Sequence, residues 1–170
     1  MKKRLLLLLI GLGMGFILYQ GTRDLTTSLS ISDQVVNRVL AYALNDPTLS
    51  SEAYFKYYPI ANYLIRKLAH FTEYAVIGTL LAYYFRKTKS LKRDVLVYSL
   101  FGVILIALSD EYLQRFMGRG SLVSDVWIDF WGGLTGATIL LLLSSFKNSF
   151  QSNSRSLRKT VDSKKQKTLH

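Results

Sequence analysis

The chain has 170 residues, of which 49% are hydrophobic, and 22 Lys and Arg against 11 Asp and Glu give a formal net charge of +11. That length fits one domain, and the absence of cysteine excludes a disulfide framework and thiolate metal sites. The excess positive charge suits either a nucleic acid or an anionic membrane surface, and its placement along the chain decides between them.

The first apolar block, Leu5 to Tyr19, follows directly on Lys2, Lys3 and Arg4. A basic start and a short apolar core also mark signal peptides, but "ILYQGTRDL" lacks the small-x-small pattern that precedes a cleavage site. The block therefore reads as an uncleaved helix over residues 5–20. Residues 20–66 then form a long connecting segment. Within it, Ser32 to Leu44 places Val35, Val36, Val39, Leu40, Ala43 and Leu44 on one helical face. Ser32 is its expected N-cap and Asp46-Pro47 its stop. This segment is either an amphipathic helix lying on or dipping into the outer leaflet, or a connector packed on the helix ends. The following "AYFKYYPIANY" is dense in tyrosine, as a membrane-interface belt would be.

Three more apolar blocks follow: Leu68 to Phe85, Val95 to Leu113 and Val126 to Phe146. With their polar ends each reaches the roughly 20 residues that a helix needs to cross hydrocarbon. The pattern predicts an all-α membrane protein, a bundle of four transmembrane helices over residues 5–20, 66–85, 95–113 and 126–146, with an amphipathic interfacial helix in the first outer loop. Residues 147–170 are rich in Ser, Lys and Arg and are expected to be a disordered cytoplasmic tail touching anionic lipid.

Orientation follows from the basic residues. Lys2, Lys3 and Arg4, the cluster "RKTKSLKR" and the basic tail all fall on one side of such a bundle, which becomes the cytoplasmic side together with both termini. Most acids fall on the other side or in the outer ends of the helices. The charge sits where membrane topology needs it, so nucleic acid is not expected as a partner.

Three spans then bring ionisable groups to one layer near the outer face. The second carries His70 and Glu73, the third Asp110, Glu111 and Gln114, and the fourth Asp125 and Asp129. At 1.5 Å per residue, Glu73 and Asp129 lie about 5–8 Å inside their apolar blocks. Asp110 and Gln114, and Asp125 and Asp129, are four apart and so share a face. Gly132, Gly133 and Gly136 continue the latter stripe and would let another helix approach closely. Ionised side chains at mid-bilayer cost about 2.5–3.5 kcal/mol each on insertion scales, so these groups should face inward and pair. His70 with Glu73 or an acid of the third span, and Arg119 with Asp125, are the expected pairs. Polar groups of this kind also serve simply as interhelical glue, at about 0.6 kcal/mol per hydrogen bond. Capping alone accounts for Asp125, and Lys67 and Arg115 suit interfacial anchors.

In "RKLAHFTEY" (Arg66 to Tyr74) and "SDEYLQRFMGRGSLVSDVWIDFWGGLTG" (Ser109 to Gly136) the chain resembles the VanZ-like family of small bacterial membrane proteins. The resemblance implies Lys67, His70, Glu73, Asp110, Glu111, Gln114, Arg119, Asp125 and Asp129 as site residues. Where relatives often carry a proline before the Gly-Arg pair, this chain has Met117-Gly118. The family's founding member is associated with resistance to the glycopeptide teicoplanin. The resemblance thus implies a multi-pass protein of the bacterial cytoplasmic membrane concerned with the cell envelope, with no assigned reaction.

Two functional classes stay open on the sequence. In the first, the outer-leaflet site binds a lipid head group, a lipid-linked cell-wall precursor or a lipophilic glycopeptide, with Arg119 and Lys67 attracting phosphate or carboxylate. In the second, the chain is an enzyme acting on a lipid-linked or phosphoester substrate. His70 would be base or nucleophile, and Glu73, Asp110 or Glu111 would supply acid or orienting groups. A divalent cation on Glu73, Glu111 and Asp125 would suit hard oxygen ligands such as those of Mg²⁺ or Ca²⁺. A transporter path is disfavoured, because the polar groups keep to one side of the bilayer midplane.

Overall fold

The computed structural model describes residues 3–23, 25–45, 50–89, 91–118 and 123–167, and every regular element among them is helical. The helices are α1 (Lys3–Gly21), α2 (Leu25–Ala43), α3 (Ser51–Phe85), α4 (Lys92–Phe116) and α5 (Val123–Lys167). Three of them are long and apolar enough to cross a membrane: α1, α4 and the Val123–Lys147 part of α5. The expected fourth span lies inside α3, which does not meet that standard. His70, Glu73, Tyr74, Tyr83 and Tyr84 lower its hydropathy. The central position of α3 makes this tolerable, because it packs against all four other helices and much of its surface meets protein rather than lipid.

Antiparallel order follows from which ends meet. Gln20 at the end of α1 bonds Glu73 of α3, and His70 of α3 faces Asp110 near the end of α4 and Asp129 near the start of α5. At the opposite end, Lys92 at the start of α4 donates to Ser145 of α5 at 2.7 Å. The basic residues Lys3, Arg4, Arg86, Lys87 and Lys89 belong to that second end, where Lys87 and Lys89 lie over the rings of Tyr83 and Tyr98. One end of the bundle is therefore basic, and the other holds the buried acids.

Several sequence-based boundaries move. α3 begins at Ser51 instead of near residue 66, so the tyrosine-rich stretch is the start of the same helix. Pro59 lies inside it and removes one backbone donor, that for the Phe55 carbonyl. Phe55 is on an exposed face, where water can take that bond. At 1.5 Å per residue α3 is about 52 Å long, well beyond the ~30 Å of a bilayer core. Its N-terminal part stands past the end of α1. There α2 packs along it through Val36 and Leu40, with Val39 and Tyr42 facing outward. α2 already starts at Leu25, so Ser32 is not an N-cap; its hydroxyl donates to Asn62 Oδ1 at 2.9 Å. Tyr58 donates to Asp33, and that hydrogen bond pushes the phenol pKa up to about 12. Asp46-Pro47, the expected stop, lies outside the described residues; α2 ends at Ala43, before Asn45 with its left-handed φ of 50°. α5 continues as helix to Lys167, beyond the expected end of the last span at residue 146. Its apolar window closes at Lys147.

The core is a seam of Leu6, Ile10 and Ile17 from α1, Tyr74, Ile77 and Leu81 from α3, and Val103, Ile106 and Ala107 from α4. Along α4 the buried stripe runs Val95, Ser99, Val103, Ala107, then Asp110, Glu111 and Gln114. The inward face that is apolar over most of its length thus turns polar in its last turns. The outward stripe of Val97, Phe101, Leu105, Leu108 and Tyr112 stays apolar throughout, as a lipid-facing surface requires. α4 ends where Gly118 takes φ +71°, the left-handed geometry that glycine adopts most easily after a helix.

α3 and α5 touch backbone to backbone. The expected small-residue stripe of α5 is the contact surface: a side chain at Gly136 would collide with the Ala75 carbonyl, and one at Gly78 with the backbone of Gly133. This approach brings His70 within reach of Asp129. Gly136→Ala should therefore lower stability by about 1–3 kcal/mol, the usual cost of overpacking. Gly15→Ala on α1, where nothing lies within 4 Å, should be neutral or stabilising. Thermal unfolding of both variants in one detergent checks the contrast.

Candidate ligand-binding site

A cavity of about 240 Å³ opens at the polar end. α1 contributes Ile17, Gln20, Gly21 and Arg23; α2 contributes Ser32 and Val35; α3 contributes Ile65, Arg66, Ala69, His70 and Glu73; α4 contributes Asp110 and Gln114. Its floor is acidic and its entrance carries two arginines. Arg23 stacks over the Tyr19 ring at 5.1 Å, and among the described residues neither it nor Arg66 pairs with a carboxylate.

His70 stands between the cavity and the bundle interior. Its Nδ1 lies 3.5 Å from Asp129 Oδ1 and 4.0 Å from Asp110 Oδ2. Both distances exceed a well-formed hydrogen bond. Gln114 Nε2 donates to Asp110 Oδ2 at 2.9 Å, the four-residue contact expected from the sequence. The other Asp110 oxygen faces Gly21, where any side chain would strike it. Asp129 is fully buried, and neither of its oxygens has a hydrogen-bond partner among the described residues. The Tyr74 hydroxyl, one turn beyond His70 and also fully buried, is likewise unpartnered.

The expected site residues that the structure describes divide into three groups. His70, Glu73, Asp110 and Gln114 line the cavity, with Asp129 directly behind His70. Glu111 is buried next to Asp110 without lining the cavity. Lys67 and Asp125 form an ion pair with each other outside it. Arg119 lies outside the described residues. The pairing differs from expectation accordingly. Asp125 meets Lys67 of α3, and Glu73 accepts from Gln20 Nε2 at 3.1 Å. His70 meets the fourth span as well as the third, because the glycine contact draws α5 closest to α3. A cation on Glu73, Glu111 and Asp125 is not what the geometry offers, because Glu73 and Asp125 point to separate partners. Among the described residues, the ligand atoms that converge belong to His70, Asp110 and Asp129, all within 4.8 Å of one another.

Gln20, Arg23 and Arg66 line the cavity beyond the residues the sequence singles out. For the first two the sequence signal is "YQGTR", a polar end to the first span.

The VanZ/LLP1 family model matches residues 6–144, which takes in α1 to α4 and the membrane-length part of α5. The chain belongs to the VanZ/LLP1 family. No curated protein and no solved structure matches it. The VanZ-like motifs coincide with the polar end: "RKLAHFTEY" supplies Lys67, His70 and Glu73, and the second motif supplies Asp110, Gln114, Asp125 and Asp129.

Lys67 and Asp125 are both largely screened from solvent, with side chains 20% and 18% exposed. Each single neutralisation, Lys67→Met or Asp125→Asn, should cost about 1–3 kcal/mol by leaving the other charge unpaired. The double variant should lose less than the sum of the two. A thermal-unfolding double-mutant cycle measures this, and strict additivity would show that the pair is uncoupled.

Proposed function

We propose that this VanZ-family protein is a multi-pass protein of the bacterial cytoplasmic membrane whose polar cavity opens at the outer leaflet and binds a phosphate- or carboxylate-bearing head group. The candidate ligands are a membrane lipid, a lipid-linked cell-wall precursor, or a lipophilic glycopeptide, the last linking the protein to teicoplanin-type resistance. The observation that carries this reading is the cavity's polarity: arginines Arg23 and Arg66 at the entrance, acids and amides on the floor. Guanidinium groups without a carboxylate partner among the described residues suit phosphate or carboxylate oxygens. Glu73, Asp110 and Gln114 suit the hydroxyl or amino groups of the same head group. The acyl or polyprenyl chain would follow the outward apolar stripes of the helices into lipid. The basic end then faces the cytoplasm, as Lys and Arg placement favours.

Binding measured in lipid nanodiscs with phosphatidylglycerol, a polyprenyl-pyrophosphate precursor and teicoplanin tests the reading. Arg66→Ala and Arg23→Ala should each weaken binding of the preferred ligand by roughly 10- to 100-fold, the worth of one charge-assisted hydrogen bond. Unchanged affinity for all three ligands in the Arg23→Ala/Arg66→Ala double variant would refute it.

One observation favours a second reading, an enzyme acting on a lipid-linked or phosphoester substrate. His70 is a cavity-facing imidazole backed by a buried carboxylate, Asp129. That arrangement suits a general base or nucleophile whose orientation is set from behind. Turnover of labelled lipid precursor by the parent protein, lost in His70→Ala, would establish it; binding without turnover leaves the first reading.

A further inference from the structure

We propose that His70, Asp110 and Asp129 form a binding site for one divalent transition-metal ion of the Mn²⁺ or Zn²⁺ kind, set in the wall of the cavity between α3, α4 and α5. The inference goes beyond head-group binding and does not depend on it.

Three observations carry it. The first is convergence: one ligand atom from each residue lies within 4.8 Å of the other two, and the separations from His70 Nδ1 are 3.5 Å to Asp129 and 4.0 Å to Asp110. Ligands at about 2.0–2.2 Å from a common ion stand that far apart, with only small side-chain adjustment. The second is the state of the donor atoms. Asp110 and Asp129 are 1% and 0% exposed, and Asp110 Oδ1, both oxygens of Asp129 and His70 Nδ1 have no hydrogen-bond partner among the described residues. Buried polar atoms are normally satisfied, and ionised ones strongly so. A protonated His70 would offset one of the two carboxylates, whereas a divalent ion offsets both and gives His70 Nδ1 and one oxygen of Asp129 a partner.

The third observation is outer support. Gln114 fixes the Asp110 carboxylate by its hydrogen bond, and Gly21 lets the end of α1 close over its other oxygen. Metal-binding carboxylates in helical bundles are commonly held in this way by second partners. The donor set selects the ion class. One imidazole nitrogen with two carboxylates favours Mn²⁺ or Zn²⁺ over Ca²⁺ and Mg²⁺, which take oxygen ligands, and the absence of thiolates removes the preference for Cu(I). His70 would bind through Nδ1, leaving its other nitrogen clear of the ion.

The test uses the full-length protein, stripped with chelator and titrated in detergent with Mn²⁺ alone and with Zn²⁺ alone. The expected result is one ion per chain for at least one metal, with Mn²⁺ bound to the parent showing imidazole nitrogen coupling in pulsed electron paramagnetic resonance. Asp129→Asn should weaken binding at least 10-fold, while Glu52→Gln, which changes a carboxylate in the distant first turn of α3, should leave it unchanged. Failure of both metals to bind at one per chain overturns the proposal, as does bound Mn²⁺ without nitrogen coupling. These two measurements need only the parent protein, so they decide the matter even if Asp129→Asn does not fold. Retention of parental affinity by a folded Asp129→Asn protein also overturns it. Head-group binding is scored separately on Arg66→Ala, so failure of either proposal is distinguishable from failure of the other.

Discussion

Asp110 and Asp129 are carboxylates with almost no access to solvent, set beside one imidazole between three helices. Moving a carboxylate out of water costs several kcal/mol even after the surroundings relax, so the neighbouring structure must compensate or the bundle would open. Much of the polar end can be understood as that compensation. Gln114 donates to Asp110, Gln20 donates to Glu73, Lys67 takes Asp125, and His70 is left facing the two buried aspartates. The cavity forms where these partners stop, with Arg23 and Arg66 left to face outward at its mouth.

The compensation depends on how closely α3 and α5 approach. Gly78, Gly132 and Gly136 remove the side chains that would hold the backbones apart. Only then does the Asp129 carboxylate come within 3.5 Å of His70. α3 is consequently a central helix, shielded by the others, and it can carry a histidine, a glutamate and several tyrosines that a lipid-facing helix would not tolerate. The outer surfaces of α1 and α4 show the opposite pattern, with Leu5, Leu8, Leu12 and Phe16, and Phe101, Leu105 and Leu108, exposed.

α2 and the N-terminal part of α3 give the cavity its upper wall. Val36 and Leu40 seat α2 on α3, and the Ser32–Asn62 and Tyr58–Asp33 hydrogen bonds fix the position of the pair. Ser32 and Val35 then reach the cavity. A connecting segment thereby becomes part of the site through side chains that have no chemical signature of their own.

The sequence by itself determined the helical class, the α1, α4 and α5 spans, and the layer to which His70, Glu73, Asp110, Gln114 and Asp129 belong. Those features follow from hydropathy and from the fixed rise of a helix, both of which are local. It also marked the glycine stripe, because a spacing of three or four residues defines a helical face. Tertiary structure decided the partners: Asp125 with Lys67, Glu73 with Gln20, and His70 with Asp129. It also decided that α3 runs unbroken through Pro59, and that α1 and α2 share the cavity. Rise per residue fixes depth along a helix axis but carries no information about the rotation and separation of neighbouring helices. Those are set by packing across residues distant in the chain, and with them the identity of every interhelical pair at the site.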